Sequence, residues 1–124
     1  MSYPVMLFGA AASALLATLA TAVLSGRARR RPLLPVTAAL SAFAGPLAWN
    51  SILRATGATA AFSHDLPFKP FPISWQDTGS GVFALAVAFT ALSLGAEARD
   101  PARQAAGGAV TVALATLLVD IYLY

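Results

Sequence analysis

Long apolar runs alternate with short polar breaks along this chain. Four runs meet the requirement for crossing a bilayer as a helix, about 20 mostly apolar residues. They cover residues 5–25, 33–56, 75–95 and 101–124. The pattern predicts an all-α membrane protein: one domain over residues 1–124, folded as an antiparallel bundle of four transmembrane helices. The breaks after the first and third runs are short. The break at 57–74 is long.

Local punctuation agrees with these spans. Pro32 stands at the start of the second, where a missing N–H costs nothing. Gly57 follows its end and suits a left-handed C′ position. Ser74-Trp75-Gln76-Asp77 reads as a capping box for the third span, which Gly95 ends. Asp100-Pro101 reads as an N-cap and first-turn proline for the fourth. Gly45-Pro46 falls in the middle of the second span. Pro46 frees the carbonyl of Ala42, and Thr37, Ser41 and Asn50 are candidates to compensate. A packing kink is the expected meaning, with a hinge or ligand notch as the alternative.

The basic residues set direction. Arg27, Arg29, Arg30 and Arg31 lie in the first break, and Arg99 and Arg103 flank the third. The positive-inside rule puts both breaks in the cytoplasm and both termini outside. The first span has its positive charges after it rather than before, so it reads as a retained helix and not a signal peptide. Tyr3, Trp49, Trp75, Tyr122 and Tyr124 all fall at the outer boundary, where amphipathic rings favour the headgroup zone. The excess of Arg over Lys and the abundance of Ala are associated with GC-rich bacterial genomes. The expected location is therefore the inner membrane of a bacterium.

Composition narrows the function classes. The chain is 58% hydrophobic and only 10% charged, with a mean hydropathy of +0.72. A soluble chain this small could not hide so much apolar surface. The net charge of +3 is concentrated at one membrane edge. That suits anionic headgroups, and no nucleic-acid partner is expected. With no Cys, disulfides, thiolate metal sites and Cys nucleophiles are excluded.

In a membrane without hydrophobic drive between helices, small residues supply the contact. Candidate seams are Gly9, Ser13, Ala17 and Thr21 in the first span, and Ser80, Ala84 and Ala88 in the third. The fourth offers Ala105, Ala109 and Ala113, or Gly107, Thr111 and Ala115. No internal repeat is evident, which argues against an inverted-repeat transporter.

The candidate chemistry gathers at the outer side. Asn50 and Arg54, four apart, share a helix face. Arg54 is placed to pair with Asp77 or Asp120, either as a clasp between helices or as an anion or headgroup site. Asp120 lies about 25 Å of helix rise from Arg103, close to the outer interface. His64, Asp65 and Lys69 stand in the outer loop. A metal site would need several further ligands from Asp65, Asp77 and Asp120, and none is expected. No nucleophile-elbow pattern accompanies the serines, and no cofactor or enzymatic activity is expected. Phe62, Phe68, Phe71, Ile73 and Trp75 are too apolar for a free tail, and Pro67, Pro70 and Pro72 stiffen the segment.

Two functions follow. The first is a non-enzymatic accessory or structural subunit of a membrane complex, docking through the aromatic, proline-rich outer loop to another membrane protein. The alternative is a small homo-oligomeric carrier of a lipid or small anion. The contact residues expected for either are Asn50, Arg54, His64, Asp65, Lys69, Phe71, Trp75, Asp77 and Asp120.

Overall fold

The computed structural model describes residues 2–67 and 71–123. In chain order it contains α1 (Tyr3–Leu24), α2 (Leu33–Ala55), a single-turn α3 (Thr59–Phe62), α4 (Trp75–Ala91) and α5 (Ala102–Leu123). A π turn, Leu92–Ala96, prolongs α4. Among the described residues four helices are long and apolar enough to cross a membrane, α4 being counted with its π turn. The protein is thus a small multi-pass membrane protein built as a four-helix bundle. Its two ends are named here the arginine-rich end, with the turn after α1, and the loop end, with the long α2–α4 connection.

The helices form a ring in which each packs on its chain neighbours and α1 closes on α5. α2 and α5 also touch across the diagonal. Small side chains make this possible. The middle of the bundle is a core of Ala17, Ala38, Ala42, Ala84, Ala88, Ala109, Val112 and Ala115. Bulky residues such as Phe8, Leu15, Leu19, Val82 and Phe89 point outward instead. That inside-out distribution of size is what lipid-facing helices need, since packing rather than water exclusion holds them together.

The expected seams of α1 and α4 are buried as predicted: Gly9, Ser13, Ala17 and Thr21 on one, Ser80, Ala84 and Ala88 on the other. On α5 neither expected row holds. Ala105 and Ala109 are buried, but the seam then passes through Val112, Thr116 and Val119, leaving Ala113 half-buried and Gly107 exposed. At 3.6 residues per turn, a strict step of four drifts around the helix, and a helix that touches three partners buries a wider stripe.

The Gly45-Pro46 pair does not break α2. It brings α2 against α4: a Cβ at Gly45 would lie 2.5 Å from the Ala84 backbone. The carboxamide of Asn50 donates to the Pro46 carbonyl at 3.0 Å.

The helix ends largely follow the sequence. Gly57 takes φ 69° just past α2, and Ser74 and Asp77 form the full capping box. Asp100 differs. α5 starts at Ala102, and the Asp100 carboxylate binds Arg31. The described parts of the long connection are more regular than their lack of periodicity suggests. The connection contains α3, and its arms are clasped where the Leu66 N–H donates to the Ile73 carbonyl at 2.7 Å, beside a bridge between Asp65 and Ser74.

Candidate functional site

Polar residues collect at both ends of the alanine core. At the loop end, α2 and α4 are tied by carboxamides. Asn50 donates to Ser80 Oγ at 3.3 Å and accepts from Gln76 Nε2 at 2.8 Å. All three residues are buried. Trp49 adds a second tie by donating its Nε1–H to the Gln76 carbonyl at 3.0 Å. Its ring meets Phe62 edge-on at 5.6 Å and Phe83 at 5.2 Å. Trp49 was expected among headgroup-facing rings. It is half-buried at the loop end and packs between α3 and α4, where Gly79 leaves room for it: a Cβ there would lie 2.2 Å from the indole.

The other sequence-selected residues divide. Asp77 is engaged in the Ser74 cap, with its carboxylate accepting from the Ser74 N–H at 2.8 Å. Arg54 is exposed and sets its guanidinium 4.6 Å from the centre of the Tyr3 ring, a cation–π contact. Asp120 is buried in the last turn of α5. His64 and Asp65 are exposed. Phe71 and Trp75 are 50% and 53% exposed. Lys69, like Phe68 and Pro70, lies outside the described residues. Asp65 and Asp77 share a cavity of about 340 Å³ with Ser63, Pro72, Ser74, Gln76 and Ile121. That lining carries two carboxylates and, among the described residues, no cation, which does not suit an anion. No group of three metal-ligating side chains occurs among the described residues.

The arginine-rich end holds the group that sequence reading passed over. Glu97 follows the π turn, and its side chain is fully buried. The geometry of the turn explains how it gets there. The Glu97 N–H donates five residues back, to the Leu92 carbonyl, at 2.9 Å. This wider turn carries the chain inward at a point where an α-helix would keep rotating. Ala28 packs with Leu34, Leu92 and Ala105 beneath the arginine turn. Arg27 is thereby brought over the bundle end, with Nη1 2.5 Å from Glu97 Oε1. The same nitrogen donates to Gln104 Oε1 and lies 3.9 Å from Asp100 Oδ2. Arg31 pairs with Asp100.

Beside Glu97 lies a cavity of about 350 Å³ between the end of α1 and the start of α5. Thr21, Ser25, Arg27, Gln104 and Gly107 help to line it. The signal for this site was present in the sequence. Two of the five acids, Glu97 and Asp100, fall in the one break that faces four arginines. Counting that break for its positive charges alone hid the complementarity.

No protein-family model, no curated protein and no solved structure matches this chain.

Proposed function

We propose that the protein is a non-enzymatic accessory subunit of a membrane complex that docks through its loop end. One contrast carries this reading. The middle of the bundle is closed by alanines that are 0–2% exposed, whereas the braced loop end holds Phe71 and Trp75 outward at 50% and 53%. The Leu66–Ile73 bond and the Asp65–Ser74 bridge hold the arms of the connection beside these rings, which lowers the conformational entropy lost when the rings are covered. The polar network beneath is spent on structure: the carboxamide of Asn50 is engaged on both its oxygen and its nitrogen. The test is native mass spectrometry of the protein extracted gently from its own membrane. The expected result is a stable complex with a larger membrane protein, lost in the Phe71→Ala/Trp75→Ala double variant while the bundle's melting temperature holds. A homo-oligomer, or a complex indifferent to both rings, would overturn it.

A small carrier is the second reading, favoured by the burial of Asp120 at the loop end. The acid-lined cavity there turns that reading from a small anion towards a lipid headgroup. It predicts that Arg54→Ala abolishes transport in proteoliposomes without loss of assembly.

A further inference from the structure

The outer surface of the bundle is not smooth toward the arginine-rich end. An apolar groove of about 410 Å³ runs between α2 and α4. Leu33, Leu40 and Ala44 line it on one side, and Val87, Ala91 and Gly95 on the other. A second apolar groove, of about 510 Å³, lies on α4 between Phe83 and Leu94. Val87 and Ala91 line both, so the two run side by side. Their depth in the membrane is informative. Leu33 to Ala44 is about 16 Å of helix rise, and Phe83 to Leu94 is the same. The hydrocarbon core of a bilayer is about 30 Å thick. Each groove therefore starts at the arginine-rich end and covers one leaflet. A partner helix crossing the membrane would need a seat about twice as long. Two acyl chains from a single leaflet match the grooves in number and in length.

Charge specifies the headgroup. The first groove opens at Leu33 and Ala96. Arg30 stands three residues before Leu33, and Arg99 three residues after Ala96. Both arginines are exposed, and neither makes an ion pair among the described residues. The two acids of this end, Glu97 and Asp100, are taken by Arg27 and Arg31, which leaves the positive charge of Arg30 and Arg99 uncompensated. A guanidinium at the level of the headgroups pairs with phosphate, and its long stem gives it reach. A zwitterionic lipid brings its own cation and gains less from such a pair than an anionic one. From the end of the bundle inward, the order is guanidinium groups and then apolar grooves, which is the order of phosphate and acyl chains in a lipid. We infer that this face of α2 and α4 binds an anionic phospholipid, with its two chains in the grooves and its phosphate on Arg30 and Arg99. This inference does not depend on the docking role proposed for the opposite end.

The experiment is lipid retention by the full chain, read by native mass spectrometry from vesicles of equal parts phosphatidylglycerol and phosphatidylcholine with the same acyl chains. Phosphatidylglycerol should be retained about tenfold over phosphatidylcholine, the value of two arginines near the headgroup. Arg30→Ala/Arg99→Ala should remove most of that preference. Arg29→Ala/Arg103→Ala takes the same charge from the same end but away from the groove mouth, and should keep most of it. Gly95→Leu tests the groove itself. A Cβ at Gly95 meets nothing within 4 Å, so the leucine narrows the groove without disturbing the core. It should lower phosphatidylglycerol retention several-fold with no loss of melting temperature. Equal retention of the two lipids in the parent protein would overturn the inference. So would an equal loss in both double arginine variants, which would mean that the basic end acts only as a diffuse field. Unchanged lipid retention in Gly95→Leu would overturn it as well. If that variant instead released a second copy of the chain or another protein, the groove would be the seat of a helix and the lipid assignment would fall.

Discussion

Gly45→Ala adds one methyl group where the backbones of α2 and α4 approach closely. The new Cβ would lie 2.5 Å from both the Cα and the N of Ala84, and 3.0 Å from its Cβ. Ordinary contact begins near 3.4 Å, so α2 and α4 must part by about 1 Å, and the obstacle is backbone that cannot swing aside. Overpacking of this kind costs about 1–3 kcal/mol. Against it stands the higher helix propensity of Ala, about 1 kcal/mol over Gly. Gly107→Ala supplies the control, because it brings the same propensity gain with no neighbour within 4 Å. The difference between the two variants isolates the clash at about 1–3 kcal/mol, with Gly107→Ala the more stable. Unfolding in mixed detergent micelles, titrated with dodecyl sulfate and followed by circular dichroism, measures that difference. Equal midpoints would mean that α2 and α4 do not meet at Gly45 and Ala84, and the sealed middle of the bundle would have to be given up with that contact.

Three further outcomes follow from the loop end. Asn50→Ala removes two bonds between α2 and α4. Interhelical hydrogen bonds in membranes average about 0.6 kcal/mol, so the same titration should show a loss of about 1 kcal/mol, and no loss would discount the carboxamide clasp. Trp49→Phe keeps a ring against Phe62 and Phe83 but loses the bond to the Gln76 carbonyl. A cost of about 1 kcal/mol is expected, with faster amide exchange in α3, whereas unchanged exchange there would show that α3 does not rest on Trp49. Ser74→Ala deletes the cap on the Asp77 N–H and should cost about 1 kcal/mol. The loss should appear as fraying of the first turn of α4, and protection there equal to the parent would refute the capping role.

The spans were legible because the bilayer imposes one demand on every helix, and an unbroken apolar run can hardly mean anything else. The capping box and Gly57 were legible because each depends on only a few consecutive residues. Trp49 and the α5 seam were not. Each depends on which neighbour a helix turns toward, and an alanine-rich stripe leaves several rotations nearly equal. Its sequence position puts Trp49 at the outer boundary, but its packing against Phe62 and Phe83 depends on Gly79 opposite making space for its ring. Glu97 was obscured for a different reason. A carboxylate after the expected end of a span looks solvated, and only the π turn at Leu92–Ala96 carries it back under the arginines. At the loop end, the residue types singled out were sound. Their sequence neighbourhood did not reveal that Asn50 would be spent on Gln76 and Ser80, or that His64 would stand exposed.

The location of the chemistry follows from the packing. Alanine seams bring the helix backbones so close that the middle of the bundle has little room for a ligand. The hydroxyls buried there, Ser13, Ser41 and Thr116, fit because they are small. The grooves along the spans are lined almost wholly by apolar side chains, and polar-lined space opens where the seams end, at the two ends of the bundle. At the loop end the cavity beside Asp65 and Asp77 remains, and Phe71 and Trp75 stand outward above it. At the arginine-rich end the turn after α1 is short, Gly107 adds no side chain, and the cavity stays open beside Glu97. The proposed contacts of rings and charges therefore fall at the ends of the bundle. The two ends differ in chemistry, with exposed rings at one and unpaired arginines above apolar grooves at the other, so the partners they recognise should differ as well. The two proposals can therefore be tested separately: the Phe71→Ala/Trp75→Ala variant should leave lipid retention intact, and Gly95→Leu should leave the protein complex intact.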